Sequence, residues 1–229
     1  MKRAVLIVAA SAVLMTCLVL PAAGTNLQGL KWGFDPGYTV NYQLTISTSS
    51  PAFNLAEGLY VQTGSTTTIP NTVNLWGQIL QPSMEWKWTN GSLVPFLLWL
   101  YFIPLASFGG NLVVPVGNWS LLTRLVDKIL LWEINTTMVE NSAYWGMSLT
   151  ATLSGKTTVL ETSYLKSDGL IARYDWTQTD AATHVKEGEV SLVREGLPND
   201  IVVFLQDNIL FIGIGVVVIV LLAVACKRR

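Results

Sequence analysis

An α+β fold, a curved antiparallel β-sheet packed on one helix and followed by a C-terminal transmembrane helix, is predicted by three features of this 229-residue sequence. Segments in which apolar and polar residues alternate recur along it. One segment carries a helical period instead. Residues 209–226 then run for 18 positions without a charge. Alternation with period two places one side-chain set on each face of a strand, whereas a period of 3.6 gathers apolar side chains on one side of a helix. The composition agrees: 51% hydrophobic residues, 13% charged residues and a mean hydropathy of +0.44 exclude a disordered chain and favour membrane association.

Lys2 and Arg3 precede an apolar run over residues 4–20, and Pro21-Ala22-Ala23-Gly24 supplies small residues where a signal peptidase cuts. Residues 1–24 therefore read as a signal peptide, with cleavage after Gly24. Tyr38, Val40, Tyr42, Leu44 and Ile46 alternate with polar neighbours and predict a half-buried strand. Met84, Trp86 and Trp88 alternate with Glu85 and Lys87 up to Asn90-Gly91, a pair that supplies the positive φ angles of a tight hairpin.

Residues 88–123 contain no Asp, Glu, Lys, Arg or His across 36 positions. Within them, residues 93–105 are apolar on both alternate sets. They read as a strand buried on both faces, an apolar lining or lip, or a second membrane span. A second span sits poorly with Pro95, Pro104 and Gly109-Gly110. It would also return the basic residues 227–229 to the outside. Phe96, Trp99, Tyr101 and Phe102 of this run, with Trp132 beyond it, are the candidate ligand-binding residues.

Leu121, Leu122, Leu125, Val126, Ile129, Leu130 and Trp132 fall on one broad face and predict a helix over residues 118–133, with Asn118 or Ser120 as its N-cap. Three further strands follow from the alternation of residues 145–153, 157–165 and 170–176, separated by Ser154-Gly155 and Ser167-Asp168-Gly169. A last strand over about 185–193 precedes Gly196-Leu197-Pro198.

Residues 209–226 are long enough to span a bilayer, about 27 Å at 1.5 Å per residue, and Lys227-Arg228-Arg229 follows at once. Positive residues stay on the cytoplasmic side. The chain accordingly reads as single-pass, with residues 25–200 an extracytoplasmic domain, 201–208 a juxtamembrane segment and 227–229 a cytoplasmic basic tail.

Between the terminal segments stand 9 Lys and Arg against 15 Asp and Glu, a net charge of −6, which repels nucleic acid and anionic lipid head groups alike. Residues 25–123 hold 5 charges and residues 124–207 hold 19; with no linker between them, this reads as two faces of one domain. The only cysteines, Cys17 and Cys226, lie in the hydrophobic end segments, so no disulfide is expected in the domain.

The chemistry for catalysis is thin. His184 is the only histidine, no Gly-x-Ser-x-Gly elbow accompanies it, and zinc held by Cys and His is excluded by count. Glu187 and Glu189 share a strand face and Asp175 and Asp180 are placed to flank a turn, but acids on a polar face are usually only solvated. No cofactor is implied. Asn90, Asn118 and Asn135 head glycosylation sequons, and Asn118 has a competing use as a cap. Nine tryptophans suit a sheet core, and equally a sugar platform or the wall of a lipid cavity.

Four short segments occur in a particular order: Gly33-Phe34-Asp35-Pro36-Gly37-Tyr38, Phe102-Ile103-Pro104, Val114-Pro115-Val116-Gly117-Asn118-Trp119 and Ser167-Asp168-Gly169-Leu170-Ile171. Their order resembles the archaeal surface proteins described as having a choice-of-anchor domain of the S type. That resemblance implies an anchored extracytoplasmic domain with no assigned activity, and no functional residues to carry over. The inferred sheet over a helix also looks like the cup of Lol-type lipoprotein carriers, a likeness of fold that does not give function. The expected function is a membrane-anchored, non-enzymatic cell-surface binding domain holding a lipid or other hydrophobic ligand. The alternative is a structural envelope module that meets a surface-protein partner, and an enzyme built on carboxylates is a distant third.

Overall fold

The computed structural model describes residues 26–50, 54–96, 98, 100–102, 112–128 and 135–212. The expected signal peptide, Trp99, Trp132, both cysteines and all of the expected span beyond residue 212 lie outside the described residues.

Eight antiparallel strands form one open sheet: β1 (Thr39–Thr48), β2 (Leu55–Thr63), β3 (Met84–Trp88), β4 (Asn135–Glu140), β5 (Tyr144–Leu153), β6 (Lys156–Leu165), β7 (Ile171–Asp180) and β8 (Lys186–Arg194). Their order is β3-β2-β1-β8-β7-β6-β5-β4. Two meanders, β1 to β3 and β4 to β8, are thus joined where the first strand pairs with the last, with Leu44 opposite Leu192. The sheet is continuous through the sparsely charged first half and the charged second half.

Register explains the burial. Leu44, Leu192, Tyr174, Thr162 and Met147 are successive cross-strand partners and all are buried. One row over, Ile46, Val190, Leu160 and Leu149 do the same beside the half-buried Trp176. This inner face is covered by helix α1 (Trp119–Asp127), whose Leu121, Leu122, Leu125 and Val126 enter the same core, and by a 3-10 turn at Trp76–Gln78. Asn118 is the N-cap, its Oδ1 accepting the Leu121 amide at 3.0 Å. Of the helix expected over 118–133, the described part ends at Asp127, and residues 129–134 are outside the described residues.

Three expectations are corrected. The hairpin at Asn90-Gly91 closes through a single bridge, Lys87 opposite Leu93, and the chain then leaves the sheet at Pro95. Phe96, Leu98, Leu100, Tyr101 and Phe102 lie in 3-10 turns, with the Leu98 amide bonded to the Pro95 carbonyl at 3.0 Å, so the apolar run is not a strand here. A proline has no N–H for a ladder, and side chains that are apolar all round gain as much by folding back over an existing face as by extending an edge. Secondly, the expected juxtamembrane segment, residues 201–208, carries structure that its sequence did not announce. Helix α2 (Asp200–Asp207), capped by Asn199, fills them and packs on the opposite, outer face through Val203 into a small second core with Tyr144, Leu165 and Ala172. Thirdly, Asp175 and Asp180 do not flank a turn, since both belong to β7. Among the described residues no helix is long and apolar enough to cross a membrane.

Candidate functional site

Three regions carry chemistry: a clasp at one end of the sheet, an apolar lip near β3, and a groove on the outer face.

The clasp joins three of the short segments singled out in the sequence. Lys31 and Val116 exchange backbone hydrogen bonds of 3.0 and 2.8 Å, the Val114 amide donates to the Gly169 carbonyl at 2.9 Å, and Asn118 Nδ2 donates to the Gln28 carbonyl at 2.8 Å. Two glycines permit this approach. A Cβ on Gly33 would lie 2.6 Å from the Asp168 Cα, and one on Gly169, at φ +77°, would lie 2.0 Å from the Val114 carbonyl oxygen. Inside the clasp Asp168 pairs with Arg194 at 2.7 Å, Arg194 Nη2 donates to the Tyr38 hydroxyl at 3.2 Å, and Asp168 Oδ1 accepts the Leu170 amide at 3.0 Å. Burial disfavours the Arg194 charge, but the Asp168 carboxylate more than compensates and holds the guanidinium above its usual range. Desolvation likewise raises the Tyr42 phenol, which donates to the Ile171 carbonyl at 2.9 Å. The Asp168–Arg194 pair, the Tyr38 hydroxyl and the Leu170 amide tie the β6–β7 turn to the end of β8 and to the segment before β1, which is a structural use of these groups. A hollow of about 500 Å³ bordered by Asp35, Tyr38 and Asp168 opens beside it.

The lip is made by residues 93–102. Phe102 reaches down to the inner face, with ring centroids 5.1 Å from Tyr174 and 6.4 Å from Trp86. The Tyr174 hydroxyl donates to the Tyr101 carbonyl at 2.7 Å. These contacts fix the segment, and they leave Leu93, Phe96 and Leu100 standing out, with Phe96 77% exposed. Of the predicted ligand residues, the structure brings Tyr101 and Phe102 together, half-buried over the sheet, and places Phe96 on the exposed crest. Trp99 and Trp132 lie outside the described residues.

The groove, about 440 Å³, runs between α2 and the outer face of β5 to β7. Val203, Phe204 and Val139 supply apolar lining, and Arg173, Glu161, Asp175 and Asp207 the polar part. Arg173 approaches Asp200 at 3.9 Å, and Asp175 accepts the Ser191 hydroxyl at 2.5 Å. Sequence reasoning did not assign these residues to a site, because residues 201–208 were read as a juxtamembrane segment and the contact of α2 with β7 is non-local.

The remaining candidates have plain structural uses. Lys156 is paired with both Glu187 and Asp180, and Glu189 with Lys186 at 2.8 Å. His184 sits at φ +57° in the turn after β7, its amide bonded to the Asp180 carbonyl at 2.9 Å. The Thr183 amide and hydroxyl, then the Ala182 amide and Lys156, hold the Asp180 carboxyl down at about 2. Among the described residues no three His, Cys, Asp or Glu are grouped as a metal site. Asn90 is exposed in its turn, with Oδ1 taken by the Ser92 amide and hydroxyl. Asn118 is engaged at both side-chain atoms. The Asn135 side chain is outside the described residues, although its backbone opens β4.

The chain matches no family model, no curated protein and no solved structure.

Proposed function

We propose that this chain is a single-pass, membrane-anchored cell-surface domain, non-enzymatic, whose apolar lip contacts a partner in the envelope. The observation that carries the reading is the arrangement of the lip: Phe102 is rooted between Trp86 and Tyr174 while Phe96, Leu93 and Leu100 are held out in solvent. Large apolar groups exposed on one segment cost free energy unless something meets them, and a rooted crest is preorganised for contact at little entropic cost. Anchoring rests on the signal-peptide pattern at residues 1–24 and the uncharged residues 209–226 before Lys227-Arg228-Arg229, which also set the N-terminus outside.

The partner favoured is a protein. Side chains of α1, the Trp76–Gln78 turn and Phe102 fill the inner face of the sheet, so the expected cup for an acyl chain is occupied by the protein's own residues. A hydrophobic ligand remains the second reading, favoured by one feature: Phe102, only half-buried, covers the aromatic floor of Trp86 and Tyr174 and is the group a ligand would displace. The order of segments resembling choice-of-anchor proteins accords with both readings.

A photoreactive benzoylphenylalanine at position 96 of the full chain, irradiated in native membranes, distinguishes them. A discrete protein adduct supports the partner reading. Adducts with lipid alone transfer the lip to a hydrophobic ligand, and the absence of any adduct removes the lip as a contact site.

A further inference from the structure

Helix α2 has an unusual distribution of side chains. Val203 is its one buried residue, at 5% exposure, and the two acids at its ends face protein groups. Asp207 Oδ1 accepts the Ser142 amide at 2.9 Å, and Asp200 approaches Arg173. Everything between is uncharged, and Ile201, Val202, Phe204 and Leu205 are all exposed, Ile201 at 68%. A helix lying on a domain in water normally turns charged residues outward, so this one carries its apolar character on the wrong side for an aqueous surface.

Helical backbone resumes just beyond the C-cap of α2 at Asn208. The Asn208 amide bonds to the Phe204 carbonyl at 3.1 Å and the Ile212 amide to the Asn208 carbonyl at 2.9 Å, and residues 209–212, helical as well, expose Ile209, Leu210 and Phe211. The exposed face of α2 is therefore followed, across the Asn208 cap, by the exposed apolar residues 209–212, with which the uncharged stretch of the sequence up to residue 226 begins. The non-helical backbone of Asn208, at φ −110° and ψ 10°, separates the axis of α2 from that of the residues that follow, as a helix lying along the membrane surface beside a span requires.

We infer that α2 is an interfacial helix: its exposed face of Ile201, Val202, Phe204 and Leu205 inserts into the outer leaflet of the bilayer that holds the span, while Val203, Asp200 and Asp207 clamp the sheet to its other side. The occupant of this face is lipid. The sheet thereby rides on the membrane at a fixed attitude instead of swinging on a tether. This inference rests on the anchoring proposed above, with which it shares the span but not the docking face.

The test uses the full chain with Cys17→Ser and Cys226→Ser, reconstituted in phosphatidylcholine vesicles. An environment-sensitive fluorophore is placed in turn at Ile201→Cys, Leu205→Cys, Ile212→Cys and Leu80→Cys, and each is challenged with lipid spin-labelled near the head group. Leu80 is an exposed position far from α2 in the chain and serves as the aqueous reference. Docking is supported by quenching at 201 and 205 that reaches about half of that at 212, with little at 80. If 212 is quenched while 201 and 205 behave like 80, the span is inserted and the docking is overturned. If 212 is not quenched, the anchoring itself fails and the docking with it.

Discussion

The Nη1 of Arg194 lies 2.7 Å from Oδ2 of Asp168, and both side chains are buried where β6 turns into β7 and β8 ends. Removing one member leaves the other charged and desolvated, a cost of about 3 kcal/mol, whereas removing both charges avoids that penalty. Arg194→Met is accordingly expected to lower the urea midpoint of the detergent-solubilised chain strongly. Asp168→Asn with Arg194→Met, which keeps an acceptor for the Leu170 amide, should recover most of the loss. A double variant as unstable as the single one would show that the guanidinium's hydrogen bond to Tyr38, and not charge pairing, is what matters.

The turn after β7 carries the clearest pH response. Asp180 is held at about 2, below its usual value near 3.8, chiefly by the Thr183 amide and hydroxyl. A depressed carboxylate contributes its stability in full above the unfolded value and loses it as pH falls through the folded one. The amides of Ala182 and Thr183 should therefore keep their protection down to about pH 4 and lose it towards pH 2. Hydrogen exchange followed by NMR reads this directly, and Asp180→Ala should abolish the protection at neutral pH.

Much of this fold was legible because its strands are half-buried: β1, β3 and β5 to β8 announce themselves by alternation. β2 does not, since Ala56-Glu57-Gly58 interrupts its first half and only Leu59, Val61 and Thr63 alternate inward. β4 opens on Asn135-Thr136-Thr137 at a sheet edge, where no apolar face is needed. The clasp was half visible. Gly169 and Asp168 read as turn residues, but the partnership of Asp168 with Arg194 depends on β1 pairing with β8, and nothing local encodes that. α2 was hidden for a different reason: only Val203 of its apolar residues is buried, so no amphipathic pattern marks its packing on the sheet.

The sequons separate on geometry. Asn90 is on an exposed turn with its amide nitrogen available, whereas Asn118 spends Oδ1 on the Leu121 amide and Nδ2 on the Gln28 carbonyl. Expression in a glycosylating host should place glycan on Asn90 and none on Asn118, as glycopeptide mass spectrometry would show. Asn118→Ala should instead cost about 1 kcal/mol of stability through the lost cap. Glycan on Asn118 in folded protein would contradict the capping role.

Phe96 and Phe102 belong to one short segment and should behave oppositely. Phe102 is wedged between Trp86 and Tyr174 and belongs with the core, so Phe102→Ala removes apolar burial from three elements at once. For a half-buried ring the expected loss is about 2 kcal/mol, below the 3–5 kcal/mol of a fully buried phenylalanine. Phe96 touches water, and Phe96→Ala should change stability by less than about 0.5 kcal/mol. Contact with a partner inverts the order. Phe96→Ala should weaken it without moving the denaturation midpoint, while Phe102→Ala should weaken it only as far as the lip loses its footing. Measuring the urea midpoint and the capture of the crosslinked partner on the same two variants separates packing from recognition, because a segment that only fills the core would lose both together. Equal partner capture by wild type and Phe96→Ala would leave the crest without a role.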